Sequence, residues 1–197
     1  MNNTQSHLFI AIPIPDFMKQ QLSAMCVQMQ NDLLRGMTFK KWVFPADYHI
    51  TLKFLGGVDN DTRARLEPLL RQIAMKTNSF SLTLEGLNTF GKSASPRILW
   101  TGVKGDLEPL FIVQNNIDAS LASLGFITEN RPYTPHLTLA KNYTGNTMFE
   151  TKILEQAVQY LSQSIPLQWE VNQIVLYQTH LRREPMYDAV EVYTFNE

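Results

Sequence analysis

One cysteine, four histidines and a net charge of −1 leave this 197-residue chain without several common devices. Cys26 has no second cysteine to pair with, which excludes a disulfide within the chain and any cysteine-rich metal site. It lies among Met25, Val27 and Met29 and reads as a buried, inert thiol. Seventeen basic residues against 18 acidic ones provide no long-range field for gripping duplex nucleic acid, although a local basic patch remains compatible with that balance. No run approaches the roughly 18 consecutive apolar residues of a membrane span. The opening MNNTQSHLFIAIPIP has no basic start, and Pro13 and Pro15 cut its apolar run, so it does not read as a signal peptide. The expected location is cytoplasmic, with no membrane partner.

What is present is an ordinary 44% of hydrophobic residues, enough for a real core in one domain or two small lobes. Two of the four histidines share one local pattern, His49-Ile50-Thr51-Leu52 and His136-Leu137-Thr138-Leu139. In an extended strand alternate side chains share a face. Each tetrad therefore buries its aliphatic pair and presents an imidazole and a hydroxyl about 7 Å apart on the other side. Of the remaining histidines, His7 reads as structural or exposed and His180 as a loop residue; neither has threonine two places on.

The elements around the tetrads come in a repeating order. HLFIAI (7–12) reads as a buried strand. A helix follows, capped by Asp16, striped by Met18, Leu22, Met25 and Met29 and ended by Gly36. The His49 strand runs from Tyr48 to Leu55. Asp59-Asn60-Asp61 then caps a helix in which Pro68 implies a kink or a late start. Phe80, Leu82 and Leu84 alternate as a strand, and 88–96 reads as a polar loop. RILWTGV (97–103) starts the second series. It continues with a helix capped by Asp106 and closed by Gly125, the His136 strand, and a helix marked by Phe149, Ile153, Ala157 and Leu161. One long strand over 167–177, a bend at 180–185 and a strand over 187–195 complete the chain. His49 to Phe80 is 31 positions, and so is His136 to Leu167. The chain thus reads as one bilobal domain over 1–197 with an internal repeat, roughly 7–87 and 97–177. The expected class is α+β: two antiparallel or mixed sheets related by a local two-fold, helices on the outer faces, each copy packing as a lobe, and the tetrads facing each other across a central cleft.

Two facing histidines suit transfer at phosphorus, one neutral imidazole taking a proton from the attacking oxygen and one protonated imidazole giving a proton to the departing oxygen. Thr51 and Thr138 can hydrogen-bond the non-bridging oxygens. Symmetry does not decide which histidine is the base, and a bell-shaped pH–rate profile is expected. Zinc catalysis normally needs three protein ligands, and only Asp47 shares the parity of His49, so no metal site is expected. No nucleophile-elbow pattern appears.

With HLFIAIPIP, WVFPADYHITLKFLG, SPRILWTGV and RPYTPHLTLAK in order, the chain resembles the two-histidine phosphoesterase superfamily. Within it, the chain is similar to the RNA 2',3'-cyclic phosphodiesterases, also called 2'-5' RNA ligases. The resemblance implies a bilobal fold and metal-independent, cofactor-free opening of a terminal 2',3'-cyclic phosphate to a 2'-phosphate, with ligation as a secondary capability. It implies catalytic roles for His49 and His136 and phosphate contacts from Thr51, Thr138 and Arg131. The expected partners are RNA ends or small nucleotides bearing the cyclic phosphate, and the chain is expected to be a monomer. A non-catalytic binding module, or a phosphodiesterase for another cyclic or 2'-linked diester, stays open as an alternative. Lys53 shares the parity of Thr51 and extends the polar face, Lys141 lies on the other parity, and Trp42, Phe44 and Tyr133 are candidates to stack a base.

Overall fold

The computed structural model describes residues 5–32, 34–35, 37–162 and 167–196. Among these, nine strands and four helices alternate in the order β1 (Ser6–Pro13), α1 (Asp16–Asp32), β2 (Phe39–Trp42), β3 (His49–Val58), α2 (Asn60–Ala74), β4 (Phe80–Lys92), β5 (Ser95–Gly105), α3 (Leu107–Ala122), β6 (His136–Tyr143), α4 (Lys152–Ser162), β7 (Gln168–Val171), β8 (Gln173–Thr179) and β9 (Tyr187–Thr194). Gly36, expected to end the first helix, lies outside the described residues, as does the side chain of Leu161.

All strands join one sheet in the order β7-β4-β5-β6-β3-β1-β8-β9, with β2 added to β6. The ladders are antiparallel throughout. The two expected sheets are the halves of this one sheet, and the seam between them is a single ladder pair, Ile50 with Leu137. The halves are not the contiguous copies that the spacing suggested. The third strand of the first series, β4, pairs with β5 of the second, while β8 pairs with β1 of the first. Each half is completed by a strand from the other series.

The long strand expected over 167–177 is broken at Asn172. β7 forms one edge of the sheet and β8 lies beside the opposite edge strand, with one residue between them. A flat sheet cannot satisfy that connection, so the sheet curls until its edges meet. Phe195 N donates to Asn172 O (2.8 Å), Asn196 N donates to Thr77 O (2.9 Å), and the Phe80 and Phe195 rings stack 6.1 Å apart.

One core joins the helices to a single face of the sheet. The stripes of α1 (Met18, Leu22, Cys26, Met29), α2 (Leu66, Leu70, Ile73) and α3 (Leu110, Val113, Ile117, Leu121) pack with Ile10, Ile12, Ile50, Leu52, Leu99, Leu137 and Leu139. The α3 stripe repeats every three or four residues, as a helix facing a sheet requires. Asp59 caps α2 by accepting from Thr62 N at 2.7 Å. The helix starts there despite Pro68, whose exposed position well inside it rules out the late start. Asp106 precedes α3, but its carboxylate accepts from Ser81 N instead of from the helix, tying the helix entry to β4. The polar loop expected at 88–96 is the tip of the β4–β5 hairpin. Stacking of Phe90 on Trp100, 4.7 Å between centroids, outweighs its turn-like composition.

Candidate active site

The seam sets the register of the two tetrads. Ile50 opposes Leu137. Carrying that antiparallel register one residue each way sets His49 across from Thr138 and Thr51 across from His136. Directly opposed residues share a face, with Cα atoms about 4.5–5.5 Å apart, and diagonal neighbours are about 7–8 Å apart. The four polar side chains are half-buried on the face away from the core, while Ile50, Leu52, Leu137 and Leu139 are buried against the helices. The imidazoles therefore occupy one diagonal of a small rectangle and the hydroxyls the other.

The two histidines are held in the same way. Nδ1 of His49 lies 2.7 Å from Asp47 O, and Nδ1 of His136 lies 2.8 Å from Thr134 O. A carbonyl only accepts, so Nδ1 donates in both, and the neutral ring keeps its lone pair on Nε2. At His49 that nitrogen receives the Thr51 hydroxyl at 3.0 Å. The Asp47 carboxylate is buried and accepts from Met186 N (2.9 Å) and Tyr187 N (3.1 Å), which fixes the β8–β9 connection against the first histidine. The Tyr187 ring meets His49 edge-on at 5.2 Å, with Phe9 at 4.9 Å and Tyr177 at 6.2 Å. His136 has Phe90 at 4.9 Å and Trp100 at 5.6 Å.

Burial under these rings pushes His49 down to about 4; the bond to Asp47 O opposes the shift, and the charges of Lys141 and His136 add to it. His136 is also lowered by burial, against the bond to Thr134 O. Both imidazoles are thus biased towards the neutral form in the free protein.

Beyond the tetrads a matched pair of β-bulges overturns simple parity. Ala11 pairs with Thr51 but Ile10 pairs with Lys53, so Leu52 is an extra residue. Trp100 pairs with Thr138 but Leu99 pairs with Ala140, so Leu139 is an extra residue. Both bulges fall three places after the histidine, and each exchanges the faces of the two residues that follow it. Lys53, expected on the polar face, turns to the helix side, where it pairs with Asp118 and donates to Ile127 O at 2.8 Å. Lys141, expected to point elsewhere, turns onto the face of the histidines. There burial, followed by the neighbouring charge of Lys41, lowers it from the usual lysine range, while Asp47 opposes the shift. Its counterpart in the first strand is Phe54, 73% exposed and 5.9 Å from Phe9.

The other expected residues are dispersed. Arg131 is exposed on the segment between α3 and β6, five places before His136. Tyr133 is no free platform, because its hydroxyl donates to Thr51 O at 2.9 Å and its ring packs on the core. Trp42 packs beside Phe39, and Phe44 is partly exposed beyond it. His7 is exposed, and His180 pairs with Asp188 at 3.0 Å. Sequence reasoning missed Phe9, Tyr177, Tyr187, Phe90 and Trp100 as walls of the site. The one available signal was that Phe9 alternates with Leu8 and Ile10, but HLFIAI reads as uniformly buried. Among the described residues no three His, Cys, Asp or Glu side chains are grouped so as to hold a metal ion.

Paired His-x-Thr strands joined at the centre of a curled antiparallel sheet define a two-histidine phosphoesterase. The chain belongs to the 2'-5' RNA ligase superfamily, whose family model matches residues 21–183. It is 35% identical over 192 residues to an RNA 2',3'-cyclic phosphodiesterase of Geobacillus stearothermophilus, covering 96% of this chain and 57% of that protein, so it spans little more than half of that relative. It is 32% identical over 190 residues to the Bacillus subtilis RNA 2',3'-cyclic phosphodiesterase, covering 96% of this chain and 97% of the relative. The fold matches E. coli LigT, solved in complex with 3'-AMP, with a TM-score of 0.75 at 21% identity over 98% of this chain and 99% of the other.

Proposed function

We propose that the protein is an RNA 2',3'-cyclic phosphodiesterase that opens a terminal 2',3'-cyclic phosphate to a 2'-phosphomonoester, with both proton transfers made by its own histidines and no cofactor. The observation that supports this reading is the seam register, which carries two imidazoles, each oriented through Nδ1, onto one diagonal of the same sheet face. His49, the more strongly held in its neutral form, is the general base: Nε2 takes a proton from the attacking water as its oxygen bonds to phosphorus. The bond from phosphorus to O3' breaks, and His136, protonated as the anionic substrate arrives, gives its proton to O3'. Thr51 and Thr138 hydrogen-bond the non-bridging oxygens, and Lys141 adds a positive charge beside them. Arg131 contacts the phosphate from the segment that enters β6. The exposed Phe54 ring offers a stacking face for the terminal base. The same opening with the 5'-hydroxyl of a second RNA in place of water forms the P–O5' bond as the P–O3' bond breaks, and gives a 2'-5' linkage, a secondary capability.

In this reading the chain is one bilobal domain, its series over about 7–87 and 97–177 are copies of one unit, and it acts as a cytoplasmic monomer on RNA ends or small cyclic nucleotides. The test is turnover of a 2',3'-cyclic nucleotide by the wild type with chelator present, resolving 2'- from 3'-phosphate products. A 2'-phosphate product that disappears in folded His49→Ala and His136→Ala proteins is expected. A 3'-phosphate product, binding without turnover, or activity retained in either variant would overturn the reading.

A further inference from the structure

The two histidines stand on strands that share one ladder pair. One pair leaves the strands free to splay or slide on either side of it, yet two-sided proton transfer needs the imidazoles at a set separation. Three contacts outside the ladder cross from the first histidine strand to the elements that deliver the second. Lys53 on β3 pairs with Asp118 on α3, and it also donates to Ile127 O in the segment that leads to β6. Tyr133, three places before His136 on that segment, donates to the main-chain carbonyl of Thr51. Its ring packs edge-on against Phe111 of α3 at 6.1 Å.

We propose that Lys53, Asp118 and Tyr133 form a strut that sets the separation and orientation of His49 and His136, which makes them positioning residues that never touch the substrate. The Lys53 and Asp118 side chains are 3% and 15% exposed, so the pair lies below the surface on the helix side of the sheet, away from the reacting phosphate. The bulge at Leu52 is what places it there, turning Lys53 away from the face of Thr51. Tyr133 engages the backbone of Thr51 itself, so a shift of its segment is transmitted to both His-x-Thr pairs together. The corresponding place in the second strand holds Ala140, buried in the core, so the strut exists on one side of the seam only.

The proposal deepens the phosphodiesterase reading and rests on it for its kinetic test. Lys53→Met, Tyr133→Phe and the paired variant Lys53→Met/Asp118→Leu are compared with wild type on a 2',3'-cyclic mononucleotide, with folding checked by circular dichroism. Removing both charges together spares the fold the buried unpaired carboxylate that Lys53→Met alone leaves. A misplacement near 1 Å lowers the rate by about 100-fold. The expected result is therefore kcat reduced ten- to a hundredfold in the lysine variants and about three- to tenfold in Tyr133→Phe, with KM within about twofold of wild type. Wild-type kcat in a folded paired variant overturns the strut, and so does a rise in KM with kcat unchanged, which would place Lys53 on the substrate. If Lys53→Met does not fold, the paired variant and Tyr133→Phe decide the matter. If the wild type itself turns over no cyclic phosphate, the phosphodiesterase reading fails, and the strut is judged by NMR. Displaced His49 and His136 imidazole resonances in Tyr133→Phe support it, and resonances superimposable on wild type overturn it.

Discussion

His49 and His136 stand on strands built alike and end in different surroundings. In both, Nδ1 bonds to the carbonyl two residues earlier, threonine follows two places on, and a bulge falls at the third. Past the bulge the strands diverge. The first places a strut lysine at Lys53 and an exposed ring at Phe54. The second places Ala140 in the core and Lys141 beside the histidines. The walls differ as well: three rings close on His49, two stand beside His136, and only His49 has the β8–β9 connection clamped next to it by Asp47. A symmetric backbone thus carries an asymmetric pair of imidazoles. That asymmetry suits the proposed division into one acid and one base.

The largest effect expected is loss of either histidine. Ala at position 49 or 136 is expected to lower kcat by about 10²–10⁴-fold, as removal of a general acid or base does. Steady-state turnover in folded protein checks it, and equal losses at both sites would mean that the two roles are equally demanding. Next come the equivalent positions 54 and 141. Lys141→Ala is expected to cost about ten- to a hundredfold in kcat/KM, in line with a lost charge-assisted hydrogen bond of about 1.5–3 kcal/mol. Phe54→Ala is expected to raise KM by about five- to tenfold with little change in kcat, at the lower end of base–aromatic stacking. A base-free ribose 2',3'-cyclic phosphate compared with the cyclic nucleotide separates the two: the Lys141 loss is the same on both, and the Phe54 loss requires a base.

The pH dependence sharpens the contrast between the imidazoles. With His49 as the proposed base, the ring must be neutral, so kcat/KM is expected to fall as pH drops through its depressed value of about 4. With His136 as the proposed acid, the group must be protonated, and burial, which lowers it from the ordinary histidine value, moves the alkaline limb to the acid side. The profile is therefore expected to be a bell displaced to the acid side of pH 6.5. Tyr187→Ala, which opens the wall of His49, is expected to move the acid limb upward. The smallest effect is on stability. The unfolded chain protonates His49 near pH 6.5 while the folded one does so near 4, so the unfolded state binds more protons between those values. Stability conferred by the neutral buried ring is present above about pH 6.5 and lost as pH falls towards 4. Denaturant titrations across that window are expected to show a slope that His49→Gln reduces.

The tetrads, the order of elements and the α+β class were legible in the residues because period-two and period-3.6 patterns are local. His49, Thr51, His136 and Thr138 share one face because two residues of strand return a side chain to the same side, and nothing distant is needed for that. Lys53 and Lys141 were misplaced by the same logic, since a bulge is set by pairing with another strand and leaves no mark in the alternation. The break at Asn172, the exchange of β4 and β8 between halves, and the ring walls around each histidine depend on which strands meet. So does Tyr133 bonding to Thr51, 82 positions away. The chain by itself therefore determined which groups are the candidates for the chemistry, because the His-x-Thr pattern rests on neighbours in sequence. Only the folded sheet decided how far apart they stand, what shields them and which lysine joins them, because those follow from contacts between residues remote along the chain.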